Sequence, residues 1–291
     1  MSKKNTSPER FEISCVRSEP AEVLHYSLGA ALKAGQDAVA REEPLEIRVG
    51  GRSVAVTMRT PGDDRELAAG FLLSEGLIRK REDIIEIAPC LESDAPENTL
   101  NVFVAPAVKV NFESLTRHVF ASSSCGLCGK ASIEAVHQHF PPVESKLNIS
   151  AETLAQLPAR LRDSQQTFAQ TGGLHAAAIF DAHGQLVALR EDVGRHNAVD
   201  KLVGHAFLDH AVPLSSNLLL VSGRASFEIM QKAAAAGIPV VAAVSAPSNL
   251  ACDLARAFGM TLVGFVRGDR FSVYAGAHRI RQGGQLLPGL D

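Results

Sequence analysis

The distribution of apolar positions divides the chain into short alternating runs and longer helical ones. Leu45, Ile47 and Val49 alternate with charged or small residues, Gly50-Gly51 interrupts, and Val54, Val56 and Met58 alternate again. This pattern predicts a β-hairpin whose turn needs positive φ, which glycine supplies without strain. After Pro61-Gly62-Asp63-Asp64, the apolar residues Leu67, Phe71 and Leu72 recur at helical spacing and Gly76 is placed to stop the helix. Residues 84–87 and 100–104 predict further strands, 114–120 fits neither period, and a helix can start near Ala131. The expectation for this half is a mixed α+β unit.

The second half is more regular. Ser150 is a candidate N-cap for a helix over 151–163. Strands are expected at 174–180 and 186–189 around the turn 181–184, then a helix at 196–207. Strand runs at 217–221, 240–244 and 261–266 alternate with helices at 226–236 and 249–258, closed by Gly237 and Gly259. Such βαβα alternation predicts an α/β fold, with helices packed on both faces of a layered sheet. The Pro141-Pro142 pair and the polar stretch behind it suggest a boundary. The expected organisation is a polar lead-in (1–20), a smaller α+β N-terminal domain (21–140), a linker (141–150) and a layered α/β/α C-terminal domain (151–291).

Composition narrows the class. At 291 residues with 46% hydrophobic, 21% charged and 5% aromatic side chains, the chain can bury a core without disulfides, and aliphatic residues must fill it. A formal charge of -3 gives no basic excess, so neither nucleic acid nor an anionic membrane is an expected partner. The apolar stretch 233–247 is shorter than the ~20 residues of a membrane span and is broken by Gly237 and Pro239. The polar first ten residues lack a signal-peptide pattern, so a cytoplasmic location is expected.

Five cysteines, an odd number, do not read as a disulfide framework. Two of them stand in Cys125-Gly126-Leu127-Cys128, followed by Gly129 and Lys130. The glycines let a tight loop bring both sulfurs together. Lys130 and a helix N-terminus behind it would lower a thiol pKa, favouring the reactive thiolate. One such pair supplies half of a zinc site. His137 and His139, two apart on a helix, point their rings different ways, so zinc is the weaker reading and no catalytic metal is expected. A thioredoxin-type motif also fits poorly, because no strand of a βαβ unit precedes the pair. Persulfide chemistry needs only an accessible low-pKa thiolate, with the second thiol assisting. Cys15, Cys90 and Cys252 have no partner spacing and receive no role.

Basic residues gather at predicted strand ends. The segment from Ser222 to Ser226 runs from strand through Gly223-Arg224 into a helix, a candidate phosphate cradle. Phe265-Val266-Arg267-Gly268-Asp269-Arg270 and Glu191-Asp192-Val193-Gly194-Arg195-His196 close two other strands. Neighbouring strands would bring Arg195, Arg224, Arg267 and Arg270 to one crevice suited to a ligand with several phosphates. His175 is a candidate ligand or acid/base group, although a hydrogen-bonded histidine at a strand start is the commoner case.

Taken together, Cys125-Gly-Leu-Cys128-Gly, Glu191 to His196, and Ser222-Gly-Arg-Ala-Ser-Phe-Glu-Ile-Met-Gln-Lys232 resemble FdhD-type formate dehydrogenase accessory proteins. Ala69 to Gly76, Thr171 to Ala178 and Leu262 to Arg267 extend the likeness, which leaves out the first twenty residues and 141–162. The resemblance implies a sulfurtransferase: a cysteine desulfurase loads sulfur as a persulfide at the position of Cys125. Cys128 assists, and the sulfur passes to the bis-molybdopterin guanine dinucleotide form of the molybdenum cofactor, needed by formate dehydrogenase. Phe265 to Arg270, with Arg195, His196 and Arg224, would hold that cargo. A homodimer and a cytidine-deaminase-like C-terminal fold are implied as well. Deamination itself is excluded, because His175-Ala176-Ala177 lacks the glutamate of H-x-E and the cysteine pair comes too early. The alternative is a non-catalytic cofactor-binding chaperone whose cysteine pair senses redox state or binds zinc.

Overall fold

A computed structural model describes residues 16–29, 31–110, 112 and 133–288. Cys15, Cys125, Cys128, Ala131 and residues 114–120 lie outside the described residues. Strands β1 (Ser18–His25) and β2 (Lys33–Ala40) pair as an antiparallel ribbon that the polar lead-in did not predict. β3 (Glu43–Val49) and β4 (Arg52–Arg59) form the expected hairpin, with Gly50 and Gly51 both at positive φ and Leu45, Ile47 and Val49 buried on one face. Helix α1 (Asp64–Ser74) buries Leu67 and Leu72, and Gly76, at φ 70, ends it by donating its N–H to Leu73 O at 2.9 Å. β5 (Ile84–Pro89) and β6 (Thr99–Val104) complete a sheet of order β4-β3-β6-β5, in which β3 and β6 run parallel.

Helix α2 (Ile133–His139) is followed by an extended stretch that lies against the second half, where Val143 N donates to Phe258 O at 2.9 Å. The short β7 (Ile149–Ser150) leads into α3 (Ala151–Ser164), capped as expected by Ser150 Oγ accepting from Thr153 N at 3.0 Å. A brief α4 (Gln166–Thr171) precedes the hairpin of β8 (His175–Phe180) and β9 (Leu186–Asp192). Then come α5 (Arg195–Leu208), β10 (Leu218–Val221), α6 (Phe227–Ala235), β11 (Val240–Ala243), α7 (Asn249–Ala257), β12 (Thr261–Arg267) and β13 (Arg270–Ala275). β14 (Ile280–Gln282) and β15 (Gln285–Leu286) join β7 in a small second sheet.

The main sheet has the order β13-β12-β11-β10-β8-β9, with β10, β11 and β12 parallel and β8 and β13 antiparallel to their neighbours. Its side chains alternate between two cores. Ala177, Ile179, Leu219, Val221, Val241 and Leu262 join the apolar sides of α5, α6 and α7. On the opposite face, Ala176, Ala178, Leu218, Leu220, Val240 and Val263 meet Leu154, Leu157 and Leu161 of α3. Both faces of the sheet are therefore covered by helices.

The first of these cores also takes in Leu45, Leu67 and Leu72, so residues of 21–140 and 151–291 share it. The closest approach is between α1 and α5. A Cβ on Gly70 would lie 1.9 Å from Asp200 O, and one on Gly204 would lie 1.8 Å from Glu66 O. Only glycine at both positions lets the backbones meet this closely. A buried polar joint fixes the same contact: Lys232 Nζ donates to both Asp200 oxygens at 2.8 Å and Ser74 Oγ to Asp200 Oδ1 at 3.0 Å. Among the described residues, no helix is long and apolar enough to cross a membrane.

Candidate functional site

Because β8 is antiparallel to both β9 and β10, β9 points the same way as β10, β11 and β12. The carboxyl ends of those four strands and the starts of β8 and β13 therefore meet along one sheet edge. Ligand sites in layered α/β sheets collect at such an edge, because the loops there leave the sheet with free backbone groups. Here the loops are tied to one another. Ser222 N donates to Ala176 O and Ala176 N to Ser222 Oγ, both at 2.9 Å. Ser245 N reaches Gly223 O at 3.3 Å, Ser248 N reaches Ala225 O at 3.0 Å and Phe265 N reaches Ser245 O at 3.1 Å. Each loop is held by its neighbour from β8 across to β12.

The segment after β9 is anchored before it presents its basic residues. Glu191 accepts from Thr167 N at 3.0 Å and Phe168 N at 2.9 Å, fixing α4. Asp192, fully buried, accepts from Thr60 N at 3.1 Å and Gly194 N at 2.8 Å and pairs with Lys201 Nζ at 2.7 Å. Asn197 Nδ2 donates to Met58 O at 2.7 Å. Arg195 and His196 then form the first turn of α5. Arg195 Nε is buried without a hydrogen-bond partner, a donor left free. Its Cδ lies 3.7 Å from where a Gly223 Cβ would sit, and His175 Nδ1 lies 3.4 Å from that point. His196 Nε2 is 2.7 Å from Glu228 Oε2 and 3.2 Å from Ser226 Oγ. The His196 hydrogen bond holds the Glu228 carboxyl below its ordinary range.

His175 departs from the hydrogen-bonded histidine expected at a strand start: its ring has no hydrogen-bond partner among the described residues. Burial pushes its pKa down, and the Arg195 and His196 charges push the same way against Asp192. Both effects favour the neutral imidazole, which carries one N–H free to donate and one nitrogen free to accept.

The other end of the edge is the β12–β13 turn. Phe265 sits at φ 53, unusual for an aromatic residue, and its ring is exposed. Arg267 Nε donates to Val244 O at 3.2 Å, with its guanidinium 5.7 Å from the Phe265 ring centre. Arg270 pairs with Arg267 across the turn, where Gly268 takes φ 58 and Asp269 is exposed. Phe265, Arg267 and Arg270 line a hollow of about 220 Å³. Val266 corrects the expectation for this segment. It is 0% exposed and packs in the core on the α3 side, because the register shifts between Gly264 and Arg267, so its side chain cannot face a ligand.

Arg224 is exposed on the loop after β10. All four arginines lie at one edge, but they are spread along it: Arg195 at the β8–β10 end, Arg224 on the β10 loop, Arg267 and Arg270 at the β12 end. Residues not anticipated as contributors include Thr60, which orients the β9 segment, and Gln165 and Phe168 of the α3–α4 junction. No local signal marks them, since their partners are distant in sequence. His137 stacks on Phe258 at 4.1 Å while His139 packs beside Gly76, so the two rings serve separate contacts. Cys90 Sγ lies 3.6 Å from Arg48 Nη1, and burial pushes the Cys252 thiol pKa up.

Residues 40–281 match the FdhD/NarQ family. The chain is 54% identical over 257 residues to the Sulfur carrier protein FdhD of Streptomyces coelicolor, covering 86% of this chain and 91% of that protein. It is 53% identical over 253 residues to the protein of that name from Mycobacterium tuberculosis, covering 84% and 92%. A crystal structure described as that of "a putative formate dehydrogenase accessory protein" from Desulfotalea psychrophila superposes with a TM-score of 0.73 at 26% identity. It covers 91% of this chain and 100% of that one.

Proposed function

The chain belongs to the FdhD/NarQ family, and on that premise we propose that it is a sulfur carrier serving formate dehydrogenase. In this reading a cysteine desulfurase supplies the sulfur. The Cys125 thiolate attacks the outer sulfur of the donor's persulfide, the donor leaves as its thiolate, and Cys125 becomes the persulfide with no net oxidation. Cys128 is the assisting thiol. The protein acts as a sulfurtransferase, and its acceptor is the molybdenum cofactor in its bis-molybdopterin guanine dinucleotide form, held as cargo. A homodimer in the cytoplasm, with a cytidine-deaminase-like arrangement of the layered second half, belongs to the same proposal.

The observation that carries the cargo half is the sheet edge. Arg195, Arg224, Arg267 and Arg270 stand along loops tied to one another, and Arg195 Nε is a buried N–H without a partner. A buried donor left unpaired loses about 1–3 kcal/mol relative to a satisfied one, so a ligand that brings an acceptor is favoured there, and the guanidinium charge makes an anionic one the better match. The carrier half rests on family membership and the cysteine pair.

Loading tests it directly. The protein is incubated with a cysteine desulfurase and cysteine, and its intact mass is measured before and after reduction. The wild type gains one reducible sulfur and Cys125→Ala gains none. An unmodified wild type, or the same adduct on Cys125→Ala, rejects the carrier reading, and stoichiometric zinc on the cysteine pair would instead favour a cofactor-binding chaperone.

A further inference from the structure

The strands β10 and β12, which end at the arginine edge, begin at the opposite one, where a second hollow opens. Ser215 and Ser216 stand just before β10, Ala182 just after β8, and Arg279 in the helical turn Ala277–Arg279 that follows β13. The extended stretch 143–148 forms another wall. Ser145 Oγ donates to Ser215 O at 2.5 Å and accepts from Leu147 N at 2.9 Å, which ties that wall to the loop before β10. The hollow measures about 930 Å³, within the range of small-ligand sites.

Arg279 is the residue in it that packing does not explain. It is only 6% exposed, and its Nε is buried without a hydrogen-bond partner. Nη1 reaches Thr261 Oγ1 at 3.4 Å, a long hydrogen bond, and that hydroxyl already gives its own proton to Gly276 O at 2.6 Å. The other buried cations among the described residues show what is missing. Arg59 pairs with Asp64 at 3.0 Å, Lys201 with Asp192 at 2.7 Å and Lys232 with Asp200 at 2.8 Å. Arg279 has no such carboxylate among the described residues, and burial pushes its pKa down. A charge held in the interior is unfavourable until a counter-ion meets it. The guanidinium is built for one: its Nε–H and a neighbouring Nη–H form a fork that grips a carboxylate or phosphate with two parallel bonds. With Nη1 turned to Thr261, the Nε edge is the one left for a ligand.

We infer that this hollow is an anion site, and that it takes a small organic anion whose carboxylate or phosphate pairs with the Nε edge of Arg279. Lys146 and Ser216, both exposed on its walls, add a cation and a hydroxyl donor. Glu144, exposed on the same wall as Lys146, opposes an anion, but a carboxylate in water is screened more than a guanidinium held in the interior. The site lies across the sheet from Arg224 and Arg267, so it does not depend on the cargo proposed for that edge.

Inorganic phosphate and acetate are the probes, each titrated at fixed ionic strength into the isotope-labelled full chain while the arginine Nε–H resonances are followed by NMR. The Arg279 signal is the one absent from Arg279→Lys. In wild type it moves saturably with one probe or both. A response to phosphate alone marks a phosphorylated ligand, and a response to acetate alone marks a carboxylic acid. Lys146→Gln raises the half-saturating concentration by about twofold or more, and Glu144→Gln lowers it by about as much, the effect of one exposed charge. Both side chains are exposed, so neither change burdens the fold. Crystals of the unaltered protein soaked in selenate give a second reading that no folding defect of Arg279→Lys can spoil, with an anomalous peak expected against Arg279. An Arg279 signal that neither probe moves, titrations unchanged in both exposed variants, or selenate found only at the Arg195–Arg270 edge would each overturn the inference.

Discussion

Replacing Gly204 by alanine sets two physical effects against each other. Helix propensity alone favours the change by about 1 kcal/mol, because glycine is the poorer residue in a helix interior. The contact geometry opposes it. The new Cβ would sit 1.8 Å from Glu66 O and 2.7 Å from Gly70 N, where ordinary contacts begin near 3.4 Å. Both obstacles are backbone, so no side chain can rotate away and the helices must part by more than an ångström. Around the crossing, Leu67, Ala68, Val199, Leu202 and Val203 are all buried and would lose their fit together. Overpacking typically costs about 1–3 kcal/mol, and a backbone clash belongs at or above the top of that range. The net expectation is a loss of about 2 kcal/mol or more. At roughly 2–4 °C per kcal/mol for a chain of this size class, the melting temperature drops by about 5 °C or more. Thermal and denaturant unfolding of the full chain measure it. A Gly204→Ala protein as stable as wild type, or more stable, would show that propensity outweighs packing at this crossing and would refute the account of how the two halves meet.

Two other expectations follow from the buried polar groups. Lys201→Met leaves Asp192 buried with its N–H donors from Thr60 and Gly194 but without its cation. The loss is about 3 kcal/mol, the low end for a broken buried pair, and adding Asp192→Asn recovers part of it; denaturant curves showing no coupling between the two changes contradict this. His175 has a folded-state pKa below its unfolded value near 6.5. Between those two values the unfolded chain binds more protons, so stability present at higher pH is lost as pH falls from about 6.5 towards the folded pKa. His175→Asn should flatten the drop in melting temperature between about pH 7.5 and 5.5. An identical drop in both proteins refutes the assignment.

What the sequence made legible follows from how one-sided each element is. The β3–β4 hairpin and α1 bury a single face, so period-2 and 3.6-residue patterns are plain, and their turn and stop glycines have positive φ. The β1–β2 ribbon defeated the same logic because Leu24 and Val39 are exposed and its half-buried positions, Val23 apart, are small or polar. β7, β14 and β15 are two or three residues long, too short to show any period. Helix α4 has little intrinsic pattern, and its first N–H groups are satisfied by Glu191 from the β9 hairpin. At the site, the basic residues were recognisable by type and by their place after strands. Their distribution along the edge was not, because it depends on β8 lying between β9 and β10. The inward turn of Val266 needed the bulge beside Phe265 to be seen.

The segment from Glu191 to Asn197 shows why chemistry and architecture are hard to separate here. Glu191 fixes the first turn of α4. Asp192 and Asn197 bind Thr60 and Met58 of the first half, and Arg195 and His196 between them face the edge. One stretch of seven residues therefore sets the docking of the two halves and the position of the charges at once. A substitution at Asp192 touches no ligand, yet it releases the turn that aims Arg195. It should weaken GDP binding and stability together, whereas Arg267→Ala, on an exposed turn, weakens binding and leaves stability in place. That difference, read on the same two assays, separates residues that hold the edge from residues that use it.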